Sequence, residues 1–359
     1  MEAVFDKERM SEKHDIKSLY PEEIRTLLIE MGEKTFRADQ IFGWIHKRQV
    51  RSYDEMTNLS KDLRRKLSDQ YPLTVIEPVR ILTSKLDGTR KFLFALADGN
   101  VIESVWMQYK HGNSVCISSQ AGCRMGCRFC ASTIDGLARS LTASEMLEQI
   151  YEIQRQTGER VSNVVVMGSG EPMDNYDNVV RFVRLLSHPD GMDISQRNIT
   201  VSTCGIVPRI RELAGEKLTI TLAISLHASD DQERQKLMPI AKRYSIDELM
   251  DACRFYRKET GRRITFEYAL AAGENDGADD AAKLAGLLAG LDAHVNLIPI
   301  NPVKERNFTR TGKKQVFDFQ KNLEKYGINV TIRREIGSDI NGACGQLRKS
   351  YIRDMAEEK

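Results

Sequence analysis

Short apolar runs alternate with amphipathic segments along most of the chain. The apolar runs predict strands at 114–119, 163–168, 198–203, 218–227, 263–271, 294–300 and 329–334. The segments between them predict helices, as at 141–156, where Thr142 and Glu145 have the spacing of a capping box. Repeated strand–helix units of this kind predict an α/β fold with a parallel sheet or barrel and helices outside it.

The first hundred residues follow two other patterns. Pro21 opens an amphipathic run, and Phe36, Ile41, Trp44 and Ile45 are spaced for one buried stripe, which predicts a small helical module. Apolar runs broken by turn residues then predict a short antiparallel β bridge. We therefore divide the chain into a helical accessory domain at 1–72, a β-rich bridge at 73–108, a core barrel at 109–339 and a C-terminal segment at 340–359.

Composition and charge narrow the class of protein. The 359 residues are 41% hydrophobic and 29% charged, which allows a catalytic domain and a smaller accessory unit. The sequence shows neither a membrane-spanning apolar run nor a signal peptide, so we expect a cytoplasmic protein without a membrane partner. The net charge of +2 conceals basic runs at 46–51, 61–66 and 303–314, which together favour a nucleic-acid partner.

Three of the seven cysteines form a tight group, Cys123, Cys127 and Cys130, directly after a predicted strand. In a reducing compartment, clustered thiols are more often metal ligands or catalysts than disulfides. A structural zinc ion normally takes four protein ligands, whereas a [4Fe–4S] cluster on three cysteines leaves one iron open to a substrate or cofactor. A zinc site completed by Cys116 and an unligated loop remain alternatives at this point.

The C-x3-C-x2-C spacing, Phe129 and the strand–helix pattern are similar to the radical SAM superfamily, as is "GSGEP" at 168–172. The blocks "CISSQAGCRMGCRFCAST", "ISLHASDDQERQKLMPI", "VNLIPINP" and "DINGACGQL" together resemble the RlmN/Cfr family of radical SAM RNA methyltransferases, from about Val101 to Leu347. The resemblance implies a partial (β/α) radical SAM barrel. It also implies a [4Fe–4S] cluster on Cys123, Cys127 and Cys130, and S-adenosyl-L-methionine as the second cofactor.

The same resemblance assigns roles to further residues. The cofactor-binding residues would be Gly170, Glu171, Ser202, Ser225, Leu226, His227 and Asn301. Cys344 would carry the methyl group, Cys116 would be the resolving thiol, and Glu103 would be a proton acceptor. Cys204 and Cys253 are interpreted as packing residues.

The implied mechanism explains why two thiols are needed besides the cluster ligands. The ring carbons of adenine are electron-poor and do not attack a methyl cation donor directly. Cys344 would therefore take a methyl group from one cofactor molecule, and radical chemistry from a second would link that carbon to adenine. Cys116 would then release the product and leave a Cys116–Cys344 disulfide for cellular thiols to reduce.

The sequence of residues 170–172, Gly-Glu-Pro, resembles the branch of the family that methylates carbon 2 of adenine in 23S ribosomal RNA and in tRNA anticodon loops. The resemblance further implies a reducing partner such as flavodoxin, and we expect a monomer. The alternatives are a Cfr-type carbon-8 rRNA methyltransferase, a non-catalytic zinc-stabilised RNA-binding protein, and a radical SAM enzyme that acts on a peptide or small molecule.

Overall fold

The computed structural model describes residues 15–110, 112–300 and 308–340. The helices are α1 (Pro21–Glu30), α2 (Arg37–Phe42), α3 (Lys61–Gln70), α4 (Ala143–Thr157), α5 (Tyr176–Leu186), α6 (Val207–Gly215), α7 (Asp231–Leu237), α8 (Ile246–Thr260), α9 (Ala278–Leu288) and α10 (Lys313–Lys325). The strands are β1 (Glu77–Thr83), β2 (Arg90–Ala95), β3 (Val101–Tyr109), β4 (Gly112–Ile117), β5 (Gln120–Gly122), β6 (Leu137–Ser140), β7 (Val161–Val166), β8 (Ile199–Thr203), β9 (Thr221–Ser225), β10 (Ile264–Leu270), β11 (Ala293–Pro299) and β12 (Asn329–Ile332).

One sheet of ten strands, in the order β1-β2-β3-β4-β7-β8-β9-β10-β11-β12, forms the frame of the described residues. Neighbouring strands from β4 to β12 run parallel, and helices connect them. The sheet does not close on itself within the described residues, because β1 and β12 are its two edges. The predicted α/β fold with a partial barrel is therefore confirmed.

The predicted β bridge is the antiparallel end of this same sheet. Strands β1, β2 and β3 form a meander, and β3 pairs antiparallel with β4, the first parallel strand. Gly88 and Gly99 occupy the two turns with φ of 74° and 81°, a conformation that glycine adopts without steric cost. The meander places the residues of β3 next to β4, where the first parallel crossover begins.

Helix α4 is covered on both sides, which explains why its residues from Ala143 to Ile153 are all buried. Its inner face packs on the sheet, and its outer face meets residues that precede β1. The amine of Lys17 is buried there and donates to Glu148 and to the carbonyl of Thr74. Arg155 donates to the other carboxylate oxygen of Glu148 at 2.8 Å. The N-terminal helices are thus fixed to the core by buried, fully paired charges.

The predicted buried stripe over residues 36–48 is only partly correct. Ile41 is buried, but Phe36 is 51% exposed and Trp44 only half-buried. The backbone changes from α-helix to a π-helical turn at Gly43–Lys47, so the angle between successive side chains differs from that of an α-helix.

Within the described residues, a helix with both the length and the apolar character of a membrane span does not occur.

Candidate active site

A cavity of about 340 Å³ lies at the C-terminal ends of the parallel strands. Most of the predicted site residues line it, namely Glu103, Cys116, Cys123, Cys127, Cys130, Gly170, Glu171, Ser202, Ser225 and His227. Leu226 does not, because its side chain is buried in the core. Asn301 and Cys344 lie outside the described residues. Loops that are far apart in sequence converge here because parallel strands end at the same edge of a sheet.

The cysteine loop is held in place by its own backbone and by a small second sheet. Strands β5 and β6 pair antiparallel on either side of the loop. The amide of Cys123 donates to the carbonyl of Gly136 at 2.9 Å, and Thr133 Oγ1 donates to the carbonyls of Cys127 and Cys130 at 3.1 and 3.0 Å. A Cβ atom at Gly122 would lie 2.1 Å from the carbonyl oxygen of Gly136, so only glycine fits this crossing.

The three thiols are close enough to influence one another's ionisation. Burial raises the pKa of Cys123 to about 12, and a thiolate at Cys130 adds to that effect. Burial also raises the pKa of Cys127, as do Cys130 and Cys123. Such thiols ionise at neutral pH only when a cation binds them, and the irons of a cluster supply that charge. The donor set therefore fits a cluster.

No three Cys, His, Asp or Glu side chains in the described part of the chain converge as ligands of a single ion. The thiolates of a [4Fe–4S] cluster each bind a different iron, so they need not converge on one point.

The loop after β7 turns sharply beside the cysteines. Gly170 has a φ of 106°, and a Cβ atom there would lie 2.6 Å from Cβ of Gln120. The buried carboxylate of Glu171 accepts from the amides of Met173 and Cys204 at 3.0 and 2.8 Å. Burial raises the pKa of Glu171, and these hydrogen bonds oppose the rise. The carboxylate thus ties the β7 loop to the end of β8, and Gly168 and Gly170 line the cavity.

Three polar side chains project from the ends of β8 and β9. The hydroxyl oxygens of Ser202 and Ser225 lie 3.4 Å apart. Nδ1 of His227 accepts from the amide of Ala269 at 3.0 Å, which places the ring proton on Nε2. Burial lowers the pKa of His227 to about 3, so the ring is a neutral donor at physiological pH. Phe129 packs edge-on against this ring with centroids 4.8 Å apart.

A buried ion pair lies on the β3 side of the cavity. Nζ of Lys91 is 3.1 Å from Oε2 of Glu103. Cys116 lies opposite Val105 on the neighbouring strand, so its thiol shares this region with Glu103. Burial raises the pKa of Cys116, while Arg333 and Lys91 lower it. Sequence reasoning missed Lys91, although a lysine inside the apolar run "RKFLFA" is a signal that could have revealed it.

The chain returns to the cavity after β12. Arg333, Arg334, Glu335 and Ile336 line it, and the next residues bind the turn between β1 and β2. Ser84 Oγ donates to Asp339 at 2.6 Å, the amide of Lys85 donates to Asp339 at 2.8 Å, and the amide of Gly337 donates to Asp87 at 2.9 Å. We call Ser84, Asp87 and Asp339 the tail clasp, because the 340–359 segment begins here.

The basic run at 61–66 is partly neutralised within the fold. Arg65 pairs with Asp62 at 2.8 Å, and Lys66 pairs with Glu33 at 2.9 Å. These pairs are exposed and therefore weak, so phosphate groups can compete for the cations. In the basic run at 303–314, Arg310 pairs with Glu335 at 2.8 Å, and residues 303–307 lie outside the described residues.

Two family models match the chain, the radical SAM superfamily over residues 117–285 and the N-terminal domain of a ribosomal RNA large subunit methyltransferase over residues 14–72. A relative from Lachnospira eligens, a probable dual-specificity RNA methyltransferase RlmN, is 61% identical and is matched over 96% of this chain and 98% of its own. A relative of the same name from Clostridium novyi is 53% identical, with 93% and 97% of the two chains matched. The crystal structure of a radical SAM methyltransferase from Sphaerobacter thermophilus superposes with a TM-score of 0.89 at 44% identity, over 93% of this chain and 98% of that one.

The open parallel sheet, the cysteine loop at its C-terminal edge and the solved relative are those of a radical SAM methyltransferase. This class of enzyme uses a [4Fe–4S] cluster and S-adenosyl-L-methionine. The near-complete match to its relatives makes the assignment more specific: the chain belongs to the RlmN family of radical SAM RNA methyltransferases.

Proposed function

We propose that this enzyme methylates carbon 2 of an adenine in 23S ribosomal RNA and in tRNA anticodon loops. The observation that carries the proposal is the cavity, which joins the three loop cysteines to two further reactive groups, Cys116 and Glu103. Relatives that share up to 61% of the sequence are described as dual-specificity RNA methyltransferases. The Gly170-Glu171-Pro172 sequence supports the carbon-2 branch.

The residues of the cavity fit the two cofactors. Cys123, Cys127 and Cys130 would hold the cluster, and the loop at Gly170 with its neighbours would hold S-adenosyl-L-methionine. The further contacts to that molecule would come from Ser202, Ser225, His227 and, outside the described residues, Asn301. When bound, the cofactors supply the methyl group and the radical that activates it, with one molecule of S-adenosyl-L-methionine for each purpose.

Cys344 would be the residue that carries the methyl carbon. It follows Ile340 by four positions in the sequence. The tail clasp holds Asp339 close to residues 333–336, which line the cavity. This position of the preceding residues supports a role of Cys344 as the methyl carrier at the cavity. The nucleophilic form of Cys344 would be its thiolate.

Cys116 and Glu103 would complete the reaction. Burial keeps Cys116 as a thiol, so it needs a proton acceptor, and Glu103 lies in the same cavity. The positive charges of Lys91 and Arg333 favour the thiolate once it forms. That thiolate would attack the sulfur of Cys344, so that an S–S bond forms and the S–C bond breaks. The electron pair of the broken bond goes to the departing carbon, which takes up a proton and becomes the methyl group of the product. External thiols would then reduce the disulfide.

Residues 1–72 would act as the RNA-binding accessory domain. The family model for the N-terminal domain of a ribosomal RNA methyltransferase matches residues 14–72. An adenine within folded RNA must leave its stack to enter the cavity. The exposed cations of α3 would contact the RNA backbone after exchanging their carboxylate partners for phosphates.

The test is anaerobic incubation of the iron-loaded enzyme with a ribosomal RNA fragment, S-adenosyl-L-methionine and a reductant, followed by mass spectrometry of the nucleosides. The expected product is 2-methyladenosine. A Cys253→Ala variant is the matched control, because this cysteine is buried in the core on α8, and it should give the same product. A product methylated at carbon 8 would support Cfr-type chemistry instead.

A further inference from the structure

Arg234 is a buried cation that the proposed reaction does not use. It lies on α7, directly below the cysteine loop, and its side chain is fully buried. No carboxylate in residues 15–110, 112–300 and 308–340 lies within ion-pair distance of its guanidinium. Burial lowers the pKa of Arg234, which shows how unfavourable this environment is for a cation. The cost of a buried, unpaired charge needs an explanation.

The neutral contacts of Arg234 explain its position. Nη2 donates to the carbonyls of Cys204 at 2.6 Å and Ser225 at 3.4 Å, and Nε donates to the carbonyl of Leu226 at 3.2 Å. These carbonyls lie at the ends of β8 and β9 and in the loops that follow, so the guanidinium joins two walls of the cavity. Nη1 is buried as well and has no hydrogen-bond partner among the described residues. Three carbonyls therefore account for only part of the donor set.

The cysteine loop packs directly on this region. Cys127 shares a buried cluster with Cys204, Leu237 and Met238, and the amide of Arg128 donates to the carbonyl of Leu237 at 2.9 Å. Arg234 donates to the carbonyl of Cys204, and Cys204 belongs to the same buried cluster as Cys127. A cation fixed at this place lies behind a cluster ligand and away from solvent.

We propose that Arg234 is the buried counter-charge of the iron–sulfur cluster and raises its reduction potential. The proposal rests on the cluster site described above. A [4Fe–4S] cluster on three thiolates carries a net negative charge, which increases when it accepts an electron. A permanent cation in a low-dielectric environment stabilises the reduced state more than the oxidised state. The three carbonyls hold the guanidinium beside the buried cluster that contains Cys127, so Arg234 is a positioning residue as well as a charge.

The experiment measures the reduction potential of the reconstituted cluster by spectroscopic titration, together with iron and sulfide content. In Arg234→Gln, the reduction equilibrium should move at least tenfold toward the oxidised cluster, which is about 59 mV for one electron. Arg234→Lys keeps the positive charge but lacks the planar N–H donors of the guanidinium. Its reduction potential should stay close to that of the wild type. Arg128→Gln is the matched control, because this exposed arginine adjoins Cys127 in sequence but is screened by solvent.

An unchanged potential in Arg234→Gln, at full iron content, would overturn the proposal and leave the methyltransferase assignment intact. If Arg234→Gln does not hold a cluster, the reduction potential of Arg234→Lys tests the proposal instead. A tenfold displacement in Arg234→Lys would then show that hydrogen bonding, and not charge, is what matters. A wild-type protein that takes up no cluster would contradict both this proposal and the proposed function.

Discussion

Buried charges near α4 and buried charges at the cavity differ in the partners that compensate them. Where the N-terminal helices meet α4, Lys17 and Arg155 each donate to a different oxygen of Glu148. At the cavity, Lys91 and Glu103 also form an ion pair. Arg234 and Glu171 are just as deeply buried, but Arg234 binds backbone carbonyls, and Glu171 binds backbone amides and the side chain of Thr203. A buried charge without an opposite charge is costly to keep.

This difference in partners indicates a structural role for the charges near α4 and a functional role for those at the cavity. The paired charges of Lys17, Glu148 and Arg155 fix the N-terminal helices against α4. The unpaired charges lie beside the cavity, where charged cofactors would complete the electrostatics. Substitutions near α4 should therefore change stability, and substitutions at the cavity should change cluster binding or chemistry.

The largest effect is expected at the cysteine loop. Cys127→Ser should remove the cluster, because only two thiolates would remain on the loop, and methylation should be abolished. The free energy of unfolding without iron should change little. Iron and acid-labile sulfide analysis measures the effect, with Cys253→Ser as a control that should retain both. A Cys127→Ser protein with a full complement of iron would show that the cluster lies elsewhere.

At the α4 interface we expect a loss of stability without a loss of the cluster. Lys17→Met leaves the buried carboxylate of Glu148 with Arg155 alone and should cost about 3 kcal/mol of unfolding free energy. Cluster content should not change. Urea denaturation measures the loss, and Arg25→Met, which breaks an exposed pair with Asp39, should cost less than about 1 kcal/mol. Equal losses of unfolding free energy in Lys17→Met and Arg25→Met would show that the buried pair at α4 has no special structural role.

The same interface should make the protein sensitive to acid. His46 is buried against Tyr151, and its pKa is lowered from 6.5 to about 3, mainly by burial. Between these values the unfolded chain binds one more proton than the folded chain, so stability falls as the pH drops below about 6.5. Between pH 7 and pH 5 the loss from this one group is about 2 kcal/mol.

Two variants test this origin by denaturation at both pH values. His46→Gln should reduce the difference by about 2 kcal/mol. Tyr151→Phe removes the hydroxyl that lies 2.8 Å from Nδ1 but keeps the ring buried, so it should retain the pH dependence. A His46→Gln variant with the wild-type dependence would contradict the prediction.

The smallest effect is expected at the tail clasp. Asp339→Ala removes the acceptor of Ser84 and of the Lys85 amide, which should loosen the start of the segment that carries Cys344. We expect turnover to fall about tenfold, which corresponds to about 1.4 kcal/mol, with iron content unchanged. Asp292→Ala is the control, because Asp292 precedes β11 and so lies at the other end of the barrel, paired with Arg257. Unchanged turnover in Asp339→Ala would exclude the clasp as a positioning device.

The sequence predicted features that depend on local pattern. The parallel strands β4, β7, β8, β9, β10, β11 and β12, the capping box of Thr142 and the cysteine loop all follow from residue spacing, and the structure has each of them. Strands β5 and β6 were missed because three and four residues are too few to show a period.

The features that could not be predicted arise from tertiary packing. The helix "DQERQKL" contains both Arg234 and Lys236, and nothing local shows that Arg234 is buried whereas Lys236 is exposed. The exposure of Phe36 depends on a backbone change at Gly43 that the apolar pattern did not show. The burial of the Leu226 side chain between Ser225 and His227 also depends on packing, and its expected contact with the cofactor stays a prediction.

The central claim is that Cys116 resolves a covalent link between Cys344 and the RNA in this cavity. Incubation of the iron-loaded Cys116→Ala variant with the RNA fragment, S-adenosyl-L-methionine and a reductant tests it directly. Denaturing electrophoresis and peptide mass spectrometry should show a protein–RNA adduct through Cys344, whereas Cys253→Ala should show free methylated RNA. Free, unmodified RNA from Cys116→Ala, or turnover equal to that of the wild type, would contradict the account.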